Sequence, residues 1–219
     1  MRTLLDHPKA GLIFTVAAVA GLLVFGFAIG VLMTPYTEVI GMERLGELTC
    51  LQMAGTSERA VQVLTAFNAE ELGALRGLLI PGDVTFAWGY GLVFSGLLGL
   101  LTLRLKGNWR SIGGWLMWAP LAASVFDVLE DLGLHSIVSQ MAAGITYEIN
   151  PAIPAATMFF AATKYLLLAV IGPLYGIAGS VTAFGDDRRL RSVVLYLLVV
   201  LTALSMVQKP AMEIPACFG

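Results

Sequence analysis

Asp127, Glu130, Asp131 and His135 fall within nine positions of the stretch SVFDVLEDLGLH, residues 124–135, at the end of a long apolar run. Acidic side chains in such a run are costly: a charge near mid-membrane costs about 2.5–3.5 kcal/mol on insertion scales, so it turns inward and finds a partner. Asp127 and Glu130 are three apart and share a helix face, and Asp131 stands four from both Asp127 and His135. The natural partner is Lys164 in MFFAATKYLLLAV. Two carboxylates near one ammonium can share a proton, and such a group can do proton exchange, lipid-headgroup binding or cation binding. The candidate catalytic set is therefore Asp127, Glu130 and Lys164. Asp83, Tyr90, Asp131, His135 and Tyr165 are candidates for binding a lipid or substrate near its outer opening. A structural role for the ion pair, fixing helix register, stands beside this reading. Asp83 has a second reading too, as the N-cap of the helix that follows it.

The elements that must position these residues are membrane helices. Of 219 residues, 58% are hydrophobic and only 13% charged, and the mean hydropathy is +0.82, against the quarter or so of charged residues in soluble proteins. Five segments approach the ~20 apolar residues that a span requires: 10–33, 84–105, 112–134, 155–179 and 190–207. The first is too long for the apolar part of a secretory signal and is read as a retained helix. With ends placed there, Asp127 lies roughly 10 Å and Glu130 about 6 Å below the outer end of the third helix, and Lys164 roughly 13 Å below that of the fourth.

Arg2 and Lys9, then Arg104, Lys106 and Arg110, then Arg188, Arg189 and Arg191 all fall on one side of this arrangement. The excess of basic residues on cytoplasmic loops puts the N-terminus in and the C-terminus out. The outer loop 34–83 contains two amphipathic stretches, read as helices at 57–67 and 69–80. Thr56 or Ser57 caps the first, and Asn68 with Glu71 forms a capping box for the second. These helices are expected to cover the outer mouths of the spans. Cys50 and Cys217 fall on the same outer side and are candidates for a disulfide, with two free thiols as the alternative. Gly26 and Gly30, the run Gly89, Gly91, Gly96 and Gly99, and Gly172 with Gly176 allow close helix approach. Trp109, Trp115 and Trp118 suit the cytoplasmic interface.

Several classes of chemistry lack their residues. His7 and His135, the two histidines, fall on opposite sides and cannot form a bis-histidine haem site. CxxC, P-loop and G-x-S-x-G motifs are missing from the sequence, and the lysine beside Asp127, Glu130 and His135 argues against a metal. No cofactor is expected. The net charge of −2 with basic residues spent on topology argues against nucleic acid.

The outer-loop stretch LQMAGTSERAVQVL, Asp83 with Tyr90, the Asp127/Glu130 pair and Lys164 together resemble a group of uncharacterised bacterial membrane proteins. The resemblance spans about residues 10–180 and carries no activity to transfer. That group often has asparagine after the glutamate, where this chain has Asp131. The expectation is thus an all-α, polytopic protein of a bacterial inner membrane, one membrane domain with five spans, in contact with lipid and with other membrane subunits. As a function, the sequence points to a non-catalytic accessory subunit or assembly factor of a larger complex. The alternative is a stand-alone lipid or small-apolar-substrate binding protein, transporter or cofactor-free enzyme that uses the carboxylate–lysine cluster.

Overall fold

A computed structural model describes residues 4–41, 44–145 and 149–184. Among these residues the structure is helical without strands, and four helices are long and apolar enough to cross a membrane: Ala10–Ile40, Ala69–Arg104, Gly107–Ala142 and Ala152–Ala183. This supports a multi-pass membrane protein. The span expected at 190–207, and with it Arg188, Arg189, Arg191 and Cys217, lies outside the described residues.

The first helix, α1 (Ala10–Ile40), extends seven residues beyond the expected 33. Pro35 does not stop it, because a π-helical stretch over Ala28–Met33 precedes the proline and absorbs the change of register that its missing N–H demands. Gly41, at φ 84°, ends the helix, with its N–H bonded to the Thr37 carbonyl.

Three short helices follow: α2 (Leu45–Gln52), α3 (Ser57–Leu64) and α4 (Ala69–Gly77). Sequence periodicity gave no sign of α2, which is too short for a window of hydrophobic repeats. The Thr56 hydroxyl accepts from the Arg59 N–H at 3.4 Å and starts α3. The Asn68 side chain accepts from the Glu71 N–H at 3.0 Å, and the Glu71 carboxylate accepts from the Asn68 N–H at 2.7 Å, closing a capping box. Arg44 ties these helices together: its guanidinium donates to Glu47 (2.9 Å), to Glu71 (2.7 Å) and to the Ala66 carbonyl (2.8 Å), and lies over the Phe67 ring. Beneath this network Leu51, Leu64, Leu75 and Leu79 pack with Ile40 and with Leu134, Ile137 and Val138 of a later helix. The three helices form a cap on one end of the bundle.

From α4 the chain turns through Leu78–Asp83, where Ile80 (φ −134°, ψ 115°) breaks the helix beside Pro81, into α5 (Val84–Arg104). Next come α6 (Gly107–Leu116) and α7 (Ala119–Ala142). The third span, read from sequence as 112–134, is thus two helices broken ahead of Pro120, and α7 runs eight residues further. Hydropathy falls at HSIVSQ, which ended the expected span, yet the 3.6-residue stripe continues through Ile137 and Val138 into the cap's core. The Gln140 amide bonds back to Ser136 within the helix. The last described helix, α8 (Ala152–Ala183), also contains a π-helical stretch, Leu166–Ile171, ahead of Pro173.

Glycines bring α1 and α5 into backbone contact. A Cβ at Gly96 would stand 2.7 Å from the Ala18 nitrogen and Phe14 oxygen, and one at Gly21 would stand 2.6 Å from the Val93 nitrogen. Gly26 and Gly30 differ: a Cβ at either meets nothing within 4 Å. We therefore expect Gly96→Leu to destabilise the fold by about 3 kcal/mol, because the backbone it meets cannot yield. Gly26→Leu should change it by no more than about 0.5 kcal/mol. Thermal melts of the two variants in detergent check this, and equal losses would contradict the packing.

At the end opposite the cap, Leu5, Phe14, Leu98, Leu101, Met117 and Tyr175 form a second apolar core. Arg110 bonds there to Asp6 and to the Leu5 carbonyl, each at 3.1 Å. Along α7 the order is Met117 just before the helix in this second core, then Asp127 and Glu130, then Leu134 to Val138 in the cap's core. The charged residues thus lie between two apolar cores.

Candidate functional site

The site is assembled by α5, α7 and α8. Two close approaches set their spacing: a Cβ on Gly91 of α5 would run into the Ser124 hydroxyl of α7, and one on Gly133 of α7 would run into Thr157 of α8. Ser124 uses that hydroxyl to donate to the Ala87 carbonyl across the α5–α7 contact at 2.7 Å.

With the helices this close, Lys164 reaches two carboxylates. Its ammonium lies 2.5 Å from one Asp127 oxygen and 2.7 Å from Glu130 Oε2. The other Asp127 oxygen accepts from the Tyr90 hydroxyl at 2.7 Å. All four side chains are buried, Glu130 completely. Both Glu130 oxygens are buried without a hydrogen-bond partner, and of the two only Oε2 has the ion-pair contact with the ammonium. Asp127 is therefore fixed on both sides, whereas Glu130 has one oxygen on the ammonium and one uncommitted.

Asp83 and Asp131 stand next to this trio. Asp83 is no helix cap: its backbone is helical (φ −69°, ψ −36°) and its side chain makes no capping bond. The N-cap reading fails because helical backbone already runs through Gly82 and Asp83 from the kink, leaving no helix start at that position. Its carboxylate interacts electrostatically with those of Asp127 and Asp131. Both Asp131 oxygens are buried without a hydrogen-bond partner. Charge–charge interactions link Asp83, Asp127, Glu130, Asp131 and Lys164 into one group.

His135, four residues on from Asp131, has its Nδ1 buried and unpartnered, and the Ser139 hydroxyl, four further, is buried and unpartnered too. Tyr165 turns from the trio toward the cap: its hydroxyl donates to the Gln52 amide oxygen of α2 at 2.9 Å, while its ring lies 5.0 Å from the Lys164 ammonium. Cys50, also on α2, is held in a disulfide. Cys217, its expected partner, lies outside the described residues.

Sequence reasoning missed Gln52 and Ser139. Gln52 could have been found as the amide of the turn LQMAG, two residues past Cys50. Ser139 could have been found by carrying the Asp127, Asp131, His135 spacing one more step.

Asp127 stands 15 residues from the end of α7 at Ala142, or roughly 22 Å along the axis. The last turns of that length pack beneath the cap. Among the described residues no group of three or more His, Cys, Asp or Glu side chains is arranged to hold a metal ion.

Fold and site together define a class: a multi-pass helical membrane protein with a buried carboxylate–lysine cluster under an α-helical cap. Comparison with protein-family models, with curated proteins and with solved structures gives no match to this chain.

Proposed function

We propose that this protein exchanges protons within a bacterial inner membrane, through the Asp127–Glu130–Lys164 cluster, in the service of binding, moving or converting a lipid or small apolar molecule. The observation that carries this reading is the uncommitted Oε1 of fully buried Glu130 beside an ammonium already shared with Asp127. Lys164 balances one negative charge, not two. Glu130 therefore has reason to take up and release a proton, and Tyr90 keeps Asp127 in place as it does so. In the proposed topology the chain spans five times, its N-terminus is cytoplasmic and its cap faces outward, with Lys106 and Arg110 on the inner side.

A second reading, an accessory subunit of a larger assembly, is supported by one feature. Leu12, Val16, Val19, Leu23 and Phe27 of α1 are exposed in a continuous apolar run beside the open Gly26 and Gly30. That surface suits lipid or another membrane helix equally.

Infrared spectroscopy of the protein in lipid discs tests the first reading. Wild type should show the carbonyl stretch of a protonated carboxyl at neutral pH, and Glu130→Gln should remove or shift it. A spectrum without such a band, or one unchanged by the substitution, would contradict the proposal. Native mass spectrometry of the same discs separates the readings: a lone chain or homo-oligomer favours the first, a stoichiometric set of other chains the second.

A further inference from the structure

Resting on the proton-exchange reading, we infer that Asp131, His135 and Ser139 are the proton path between the cluster and the capped end of the bundle. The three residues recur every four positions along α7 and so share one face of it. Each presents a buried polar atom without a hydrogen-bond partner among the described residues: both oxygens of Asp131, Nδ1 of His135 and the hydroxyl of Ser139. One such atom is a local defect. Three in a row, beginning beside the cluster and reaching within three residues of the end of α7 at Ala142, make a direction.

Unpartnered buried polar groups are costly when they merely separate two packed surfaces. A structural ion pair has no need of them. Plain packing would be served by the apolar residues that α7 places on either side, Leu134, Ile137 and Val138. Successive groups on the stripe are about 6 Å apart along the axis, a gap that one or two waters bridge, and each group offers such a water a bond. The other end of the stripe is Asp131, which stands among the charges of Asp83, Asp127 and Glu130. Asp83 is only partly buried and comes from the kinked turn rather than from α7.

The charged and titratable groups around this path are Asp83 from the turn, Tyr90 from α5, Asp127 and Glu130 from α7, and Lys164 and Tyr165 from α8. Proton transfer along it balances simply. A water held by the Ser139 hydroxyl gives a proton to one ring nitrogen of His135, whose other nitrogen gives one up to Asp131, and Asp131 passes one on to Glu130 Oε1. Flips of the His135 ring and of the Asp131 carboxyl then restore both carriers, and one proton has moved to Glu130.

The test is the rate at which deuterium from heavy water replaces hydrogen in the protonated-carboxyl band. His135→Phe and Ser139→Ala should each slow that exchange by about tenfold or more, a modest part of what a positioned proton-transferring side chain supplies. Leu132→Ala, on the exposed face of α7, should leave it unchanged. Unaltered exchange in both His135→Phe and Ser139→Ala, with the band itself intact, overturns the path and leaves the cluster reading standing. Slowing in Leu132→Ala equal to theirs overturns it also, as a general effect on the helix. If wild type has no protonated-carboxyl band, the cluster reading fails first. Asp131→Asn keeps the shape of the side chain, and a folded Asp131→Asn protein with unchanged exchange counts equally against the path.

Discussion

Lys164→Met should cost about 3–5 kcal/mol, the most of any single substitution considered for this fold. Methionine matches the length of lysine and fills its place, so the loss is electrostatic rather than a cavity. Without the ammonium, Asp127 retains the Tyr90 hydroxyl on one oxygen, but its other oxygen and both of Glu130 face each other with no cation between them. Both groups are almost wholly inaccessible, and water cannot replace what the ammonium supplied. In a chain of this size the loss corresponds to a fall in melting temperature of about 6–20 °C. Differential scanning fluorimetry in detergent, with the yield of folded protein beside it, reads this. A variant that melts within a degree or two of wild type would mean that the trio contributes nothing to the fold.

How far the fold could be read in advance follows from which signals are local. Four long apolar helices were legible because lipid demands them, and Ala10, Val84 and Arg104 lie at or within one residue of the expected limits. The misjudged limits share one cause. At His135 to Gln140 and at Thr34 to Ile40, polar residues or a proline interrupt the apolar run, yet the helix continues because its other face is covered, by the cap's leucines in one case and by α4 in the other, where Tyr36 lies against Gly77. Coverage by a distant segment is a tertiary fact that a hydropathy window does not contain. The same holds for Arg44, whose partners Glu71 and Ala66 lie more than 20 residues away.

The trio was legible for a different reason. A lysine and two carboxylates in apolar helices have few ways to be tolerated, so their types and approximate depth nearly dictate that they meet. Tyr90 was legible only as a residue near Asp83. Nothing in its local sequence says that its hydroxyl turns to Asp127. Of the two readings of Asp83, the cap fails: IPGD has the look of a helix start, whereas the chain is already helical on reaching it.

The second large effect separates a keystone from a working site. Asp127→Asn combined with Lys164→Met removes one charge of each sign, leaves the Tyr90 hydroxyl an acceptor in the asparagine oxygen, and leaves Glu130 free to remain neutral. We expect the pair to recover at least about 2 kcal/mol of what Lys164→Met alone loses, the coupling typical of residues in direct contact, and to melt close to wild type. Buried ion pairs are often replaced at little cost when both partners go together, since the desolvation of each charge nearly cancels their attraction. Proton exchange should nevertheless be abolished. With the ammonium gone, Glu130 has no partner to which its proton can be handed and from which it can be retaken, so deuterium from heavy water should no longer enter the carboxyl band at the wild-type rate. A double variant that folds and still exchanges like wild type would make the trio a register device, and the function would have to be sought on the apolar face of α1. A double variant that is as unstable as Lys164→Met alone would show that Glu130, not Asp127, is the partner that the lysine chiefly serves. The same cycle with Glu130→Gln in place of Asp127→Asn then measures that coupling directly.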